Sequence, residues 1–296
     1  MKKIIRKISS CVSYITKLKH HALPDFLVIG AAKAGTSACI QNLGKHPEIF
    51  TVTRKDKIRC CKNLKFGDDR TYFKHGEVRF FSDKVLYDRG PEWYSRFYEE
   101  TDCRLKGEKT PIYLYNRRHI SEFGNRTCDR IRALTPDIKI IILLRDPVDR
   151  SFSHWNYIRN QCSPDDSEQT GSFYTFLTGH HSSDKQLPLN ENRIVTYSDY
   201  YQNVLEYISL FGHEQVYIGI QERILANKFR EYSRIFDFLD VGKRDEIQFK
   251  NYHESDYRNR HLDEASVELL IPYFRDNVNR LRELLDDSLP EWRDYS

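Results

Sequence analysis

Phe26-Leu27-Val28-Ile29-Gly30-Ala31-Ala32-Lys33-Ala34-Gly35-Thr36-Ser37 is the stretch on which the reading of this chain turns. Four apolar residues, entered after Pro24 and closed by Gly30, have the length and composition of a buried strand. Small residues then make a loop, and Ile40 and Leu43 continue at helical spacing. A strand, loop and helix in that order bring successive backbone N–H groups to a helix N-terminus, where the peptide dipoles sum to about half a positive charge. Anion binding is the chemistry this favours, although such a loop is equally an ordinary tight turn when taken alone. Its residue order differs from the nucleoside triphosphate loop, in which lysine follows the second glycine. Here Lys33 precedes Gly35, and Thr36-Ser37 follow it directly.

A second unit lies further on. Lys139-Ile140-Ile141-Ile142-Leu143-Leu144 is the continuous apolar run of a strand buried on both faces of a parallel sheet. It leads into Arg145-Asp146-Pro147-Val148-Asp149-Arg150-Ser151-Phe152-Ser153, which again sets an arginine at a strand end and hydroxyls on the first turns of a helix. Helices are expected at Val148 to Ile158 and Tyr200 to Phe211, with a further buried strand at Val216 to Ile220. Near the end, Val267, Leu270, Ile271, Phe274, Val278, Leu281 and Leu285 recur at helical spacing, and Pro272 is expected to start a new helix or kink this one. The alternation predicts a three-layer α/β/α fold with a mainly parallel central sheet, with ligands beyond the carboxyl ends of the strands. Two anion sites on one sheet suit a ligand with two separated phosphate groups.

Bulk properties set the frame. The 296 residues are 39% hydrophobic, 13% aromatic and 30% charged, which describes a folded chain with a well-solvated surface. A net charge of +4 gives no reason to expect nucleic-acid binding. Basic residues nevertheless cluster in the N-terminal segment 1–22 and at Arg54–Lys65. The first cluster reads as a terminal helix, packed or frayed, with a basic amphipathic helix in peripheral membrane contact as the alternative. No apolar run reaches the roughly 18 residues of a membrane span, and the start lacks a secretory signal, so the expected location is cytoplasmic. The seven cysteines are odd in number and lack a CxxC pair, so they read as free thiols, and no metal site is expected. Residues 23–296 read as one domain with insertions at about 51–76 and 162–192, either substrate-facing loops or plain surface insertions. Trp93, Tyr94, Phe97 and Tyr98 are spaced to build core. Glu222 is expected to cap or pair structurally.

The segment Leu23-Pro24-Asp25-Phe26 through Ser37, with Arg145 to Ser153, resembles the 5′-phosphosulfate and 3′-phosphate motifs of the sulfotransferase superfamily. Within it the chain is most similar to the heparan sulfate glucosamine N- and 3-O-sulfotransferases and their bacterial relatives. Three further pieces occur in register: Gly76-Glu77-Val78-Arg79-Phe80-Phe81, Gly107-Glu108-Lys109-Thr110-Pro111-Ile112-Tyr113, and Tyr257-Arg258-Asn259-Arg260. The resemblance spans Leu23 to Leu285. It implies a P-loop-like strand-loop-helix that binds the phosphosulfate of 3′-phosphoadenosine 5′-phosphosulfate, with no metal.

By that resemblance, Lys33 contacts the phosphosulfate bridge, and Gly35, Thr36 and Ser37 donate to the 5′-phosphate. Arg145 and Ser153 hold the 3′-phosphate; Arg258, Asn259 and Arg260 lie in a basic loop closing over the donor; Lys109 lies beside the transferring sulfuryl group. Glu77 matches the catalytic base, as the acceptor must lose a proton when it attacks sulfur. The bland reading of Glu77 is a surface strand residue. This chain departs from the family in having more residues between Pro47 and Glu77, Arg79 where the 3-O enzymes have histidine, and Ser82 in place of an aspartate. It also lacks the cysteine pair of the animal enzymes near the terminal basic motif. The expected reaction moves a sulfuryl group to a hydroxyl or amine of a carbohydrate-like acceptor. Alternatives are a small non-carbohydrate acceptor, an ATP-dependent phosphotransferase, and a non-catalytic protein that binds anionic glycans.

Overall fold

The computed structural model describes residues 22–61, 76–160, 171–179, 189–250, 252 and 261–296. The elements in order are β1 (Phe26–Gly30), α1 (Thr36–Leu43), β2 (Ile49–Thr51), α2 (Arg54–Cys61), α3 (Lys84–Tyr87), α4 (Gly90–Ser95) and β3 (Leu105–Lys109). They continue through α5 (Ile120–Phe123), α6 (Thr127–Leu134), β4 (Lys139–Leu144), α7 (Pro147–Arg159), α8 (Phe173–Thr178) and α9 (Arg193–Thr196). The chain ends with α10 (Tyr200–Phe211), β5 (Val216–Ile220), α11 (Gln221–Ala226), α12 (Lys228–Leu239) and α13 (Glu264–Leu285). Five strands form one sheet in the order β2-β3-β1-β4-β5, and every described pairing is parallel. Helices cover both faces, as a parallel sheet requires, and the fold is the expected three-layer α/β/α.

Central strands carry the residues their burial demands. All five residues of β1 are buried, as are Ile140 to Leu144 of β4. The helices turn apolar stripes inward, Val204, Tyr207, Ile208 and Phe211 on α10 and Leu270, Phe274, Val278 and Leu281 on α13. Trp93, Tyr94, Phe97 and Tyr98 are all buried, as their spacing predicts. Cys39, Cys60, Cys61, Cys103 and Cys128 are free thiols.

Two elements depart from the sequence reading. Pro272 lies inside the unbroken helix α13 and does not start a new one. A proline there removes one backbone hydrogen bond, and the four buried residues of the apolar stripe outweigh that loss. Strand β3, with the sequence Leu105-Lys106-Gly107-Glu108-Lys109, is largely polar yet pairs between β2 and β1. Gly107 makes this pairing possible, since a Cβ there would sit 2.3 Å from the Phe26 ring. Replacing Gly107 with Ala is expected to lower the unfolding free energy by about 1–3 kcal/mol, the usual cost of overpacking. A urea titration would show it as an earlier midpoint with an unchanged slope.

Candidate functional site

Because β3, β1 and β4 are neighbours and parallel, their carboxyl ends open on one edge, where the chain order reverses across the sheet. The loop after β1, Lys109 at the end of β3 and Arg145 after β4 therefore meet. The Ala31 amide donates to the Leu143 carbonyl at 2.6 Å, tying the loop to β4. Lys33 has φ 71° and Gly35 φ 80°, left-handed positions on either side of Ala34. Alternation of this kind turns successive N–H groups toward one concavity. Among the described residues no side chain caps Gly35 at the head of α1. Lys109 Nζ donates to Ser37 Oγ at 3.1 Å, and Arg145 Nη1 to the Lys33 carbonyl at 3.4 Å. The Lys33 ammonium sits 4.3 Å above the Tyr157 ring of α7. Thr36 is buried at the first position of α1, and Ser153 is buried in the middle of α7.

Glu77 joins this group from a distant part of the chain. Its carboxylate lies 3.3 Å from Lys109 Nζ and 3.5 Å from Arg79 Nε. The segment carrying it is irregular and leads into a 3-10 turn at Phe80–Ser82, so Glu77 is not a strand residue. What fixes it is Glu108, which is completely buried in β3. Glu108 Oε1 accepts from the Tyr94 hydroxyl at 2.7 Å and the Tyr113 hydroxyl at 3.2 Å. Its Oε2 accepts from Thr110 Oγ1 at 2.8 Å and the Val78 amide at 3.3 Å. Thr110 Oγ1 in turn accepts from the Arg79 amide at 3.2 Å, and the Tyr113 hydroxyl from the Phe81 amide at 3.2 Å. Burial pushes the Glu108 carboxyl up, against the downward pull of these bonds, Tyr94's foremost. Three amides of the Val78–Phe81 segment are thus anchored to β3 and the turn after it, which holds Arg79 at φ 62°.

The Arg145 side is held from the C-terminal end. Asp146 caps α7 by accepting from the Val148 amide at 3.0 Å and the Asp149 amide at 3.1 Å. The same carboxylate accepts from Arg293 Nη1 at 2.7 Å, the Arg293 amide at 3.0 Å and the Tyr295 hydroxyl at 3.2 Å. Glu222 accepts from the Asp146 amide at 3.0 Å and from Trp292 Nε1 at 3.1 Å, the structural pairing expected of it. Arg150, fully buried, crosses from α7 to Ser198 Oγ and the Ile194 carbonyl through short hydrogen bonds.

Positive charge dominates the remaining wall. Arg118 stands 5.4 Å over the Tyr197 ring, which stacks on Tyr115 at 3.9 Å. Burial, followed by the charges of Arg193 and Arg79, holds the Arg118 guanidinium below its usual range. Beside it, burial together with Arg150 and Lys33 pushes the His154 imidazole from 6.5 down to about 3. A cavity of about 370 Å³ opens next to Gly35, with Ala38, Gln221, Leu225, Tyr232 and Tyr252 in its lining. Gln221 Oε1 is buried there with no partner among the described residues.

A parallel sheet with cations gathered at its carboxyl edge around two helix N-termini is an α/β protein built to hold anionic groups. Residues 23–267 match the sulfotransferase domain family, and the chain belongs to that family. It is similar to the bifunctional heparan sulfate N-deacetylase/N-sulfotransferase of Drosophila melanogaster, at 26% identity over 98% of this chain and 28% of that protein. The heparan sulfate glucosamine 3-O-sulfotransferase 6 of Mus musculus is 26% identical over 74% of this chain and 53% of that protein. The chain thus spans between 28% and 53% of these relatives' lengths. A solved sulfotransferase from Alicyclobacillus acidocaldarius shares the fold, with a TM-score of 0.62 and 24% identity over 92% of this chain and all of that one.

The structure brings Lys33, Gly35, Thr36, Ser37, Lys109, Glu77 and Arg145 to one edge. Arg258, Asn259 and Arg260, the N-terminal basic cluster, and most of the 162–192 segment lie outside the described residues. Glu108 went unassigned in the sequence reading. Its signal was an acid between Gly107 and Lys109 with tyrosines at 94 and 113 to satisfy it. Arg150 and Arg118 had no comparable signal, since each acts through contacts distant in sequence.

His154 supplies a test of the site's electrostatics. With its pKa lower in the folded protein than the ordinary 6.5, its neutral form adds stability that is present above pH 6.5 and lost as the pH falls toward 3. Thermal unfolding followed from neutral to acid pH should fall less steeply in His154→Asn than in the wild type.

Proposed function

We propose that this sulfotransferase moves a sulfuryl group from 3′-phosphoadenosine 5′-phosphosulfate to a hydroxyl or amine of a carbohydrate-like acceptor. The observation that carries the reading is Glu77, a carboxylate held 3.3 Å from Lys109 Nζ where the Lys33 loop and Arg145 also converge. The loop from Gly30 to Ser37 suits the donor's 5′ end: Gly35, Thr36 and Ser37 supply N–H and hydroxyl donors at the head of a helix, and Lys33 adds charge. Arg145, just before the neighbouring helix α7, and Ser153, about two turns into it, suit the 3′-phosphate. The cavity beside Gly35 opens between α1 and the helices α11 and α12 and has room for a planar base, with Tyr232 and Tyr252 in its lining. Arg258, Asn259 and Arg260 are assigned to closure over the donor on the resemblance alone.

In this reading the acceptor's proton passes to the Glu77 carboxylate as its oxygen or nitrogen bonds to sulfur. The bond from sulfur to the bridging oxygen breaks, and its electron pair stays on that oxygen. Lys109 and Lys33 stabilise the charge that develops there, and no metal ion is invoked. A sugar acceptor is favoured by Arg118, a cation held over the Tyr197 ring, and by the heparan sulfate named in the relatives' descriptions. Aromatic faces and arginine forks are the groups that hold rings bearing anionic substituents.

Calorimetry with adenosine 3′,5′-bisphosphate should show binding that excess magnesium ATP does not displace. Preferential ATP binding would point to the phosphotransferase reading. Glu77→Gln should keep bisphosphate binding and lose about 10²–10⁴-fold in transfer of labelled sulfate, the range expected for a positioned base. De-N-sulfated heparin and 4-nitrophenol as parallel acceptors separate the carbohydrate reading from the small-acceptor one. A wild type that binds heparin yet transfers sulfate to neither probe would favour the non-catalytic reading.

A further inference from the structure

The residues that lengthen this chain ahead of Glu77 have no part in the reaction described above, yet their described portion lies against the Glu77 backbone. A Cβ on Gly76 would sit 3.2 Å from the Arg54 nitrogen and 3.3 Å from the Thr53 carbonyl carbon, so the chain entering Glu77 passes directly over the start of α2. Asp56 fixes that start, accepting from the Thr53 amide at 2.8 Å and from Thr53 Oγ1 at 2.6 Å. On the first turn of α2, Lys57 is 1% exposed, and its ammonium donates a hydrogen bond to the main-chain carbonyl of Glu77.

Such burial needs a reason, because withdrawing an ammonium from water costs several kcal/mol before any partner offsets it. Helix α2 is otherwise strongly polar, and methionine would fill the same volume without that cost. The groups facing Lys57 are Cys61 from its own helix, Glu77 and Arg79 from the segment above, and Glu108 from β3. Glu108 anchors the Val78 amide, immediately after Glu77, and Lys57 holds the Glu77 carbonyl itself. The peptide that carries the carboxylate is gripped from both sides.

We infer that Lys57 is a positioning residue: through the Glu77 carbonyl, its ammonium sets the place from which the Glu77 carboxylate meets Lys109. The inference rests on the reading of Glu77 as proton acceptor for its catalytic meaning, while the grip itself can be measured independently. Burial, with Arg79 next, pulls the Lys57 ammonium down to about 8, so the grip weakens within an accessible pH range. Cys61, pushed up to about 11 by burial, titrates outside it.

The test uses the full chain labelled with carboxyl-13C glutamate and saturated with adenosine 3′,5′-bisphosphate, titrated by NMR from about pH 6.5 to 9.5. The Glu77 resonance, identified by its loss in Glu77→Gln, should show an inflection near pH 8 in the wild type. That inflection should vanish in Lys57→Met, and also in Lys57→Arg, whose guanidinium stays charged throughout. With de-N-sulfated heparin as acceptor, Lys57→Met should lose about 10–100-fold in kcat, the scale of a misplaced catalytic group, with the donor KM unchanged. Lys57→Arg should recover most of that loss. A wild-type Glu77 resonance flat between pH 7 and 9 overturns the inference, as does an inflection that survives in Lys57→Met. Should Lys57→Met fail to fold, the wild type and Lys57→Arg titrations still decide. If Glu77→Gln retains full transfer, the proton-acceptor reading fails while the inflection still reports the grip.

Discussion

A carboxylate with no exposure to water must have its oxygens satisfied, and in this protein that requirement falls on Glu108. Its four donors come from α4, from the turn after β3 and from the segment following Glu77. An unsatisfied buried charge would cost several kcal/mol, so these pieces of chain are constrained to meet. The constraint explains how a residue in an irregular segment reaches Lys109 on a strand. It also explains the stacked aromatic cluster of Phe80 and Tyr94, whose rings lie 4.3 Å apart: it walls the carboxylate from water and aims a phenol at it.

The sheet makes a division of labour. The loop after β1, Lys109 and Arg145 sit on helix and strand ends whose positions follow from parallel pairing, while Glu77 is placed by side-chain hydrogen bonds. The first arrangement is rigid because β1 and β4 are buried throughout nearly all their length. The second depends on polar networks, in which each bond is worth more than in water and each missing partner costs more. The position of Glu77 is therefore easier to disturb by mutation than that of the loop after β1.

Legibility in the sequence follows the same line. Strands β1 and β4 were readable because strands buried on both faces must be apolar, the edge strand β5 because its run is apolar, and the helix at Tyr200–Phe211 because its stripe repeats at helical spacing. Strand β3 was not, since Lys106, Glu108 and Lys109 carry no apolar signal and are admitted only by the contact of Gly107 with Phe26 and by the tyrosines around Glu108. Lys33, Lys109 and Glu77 were found through motif resemblance, and the structure brings them to one edge. Lys57 could not be found that way: its surroundings come from residues at 77, 79 and 108, which nothing local announces.

The strap from Trp292 to Tyr295 has a consequence for the order of assembly. Asp146 receives its capping partners from residues directly after it, but its charge partner Arg293 is 147 positions away. Contacts over such separations form late, because the chain must first lose the entropy of closing the loop between them. The sheet and the turn after β1 can take shape while the far end is still loose, leaving the Arg145 turn with an uncompensated acid. Until Arg293 arrives, the turn at Arg145 carries an acid without its ion-pair partner, so the two halves of the cradle need not become ordered together.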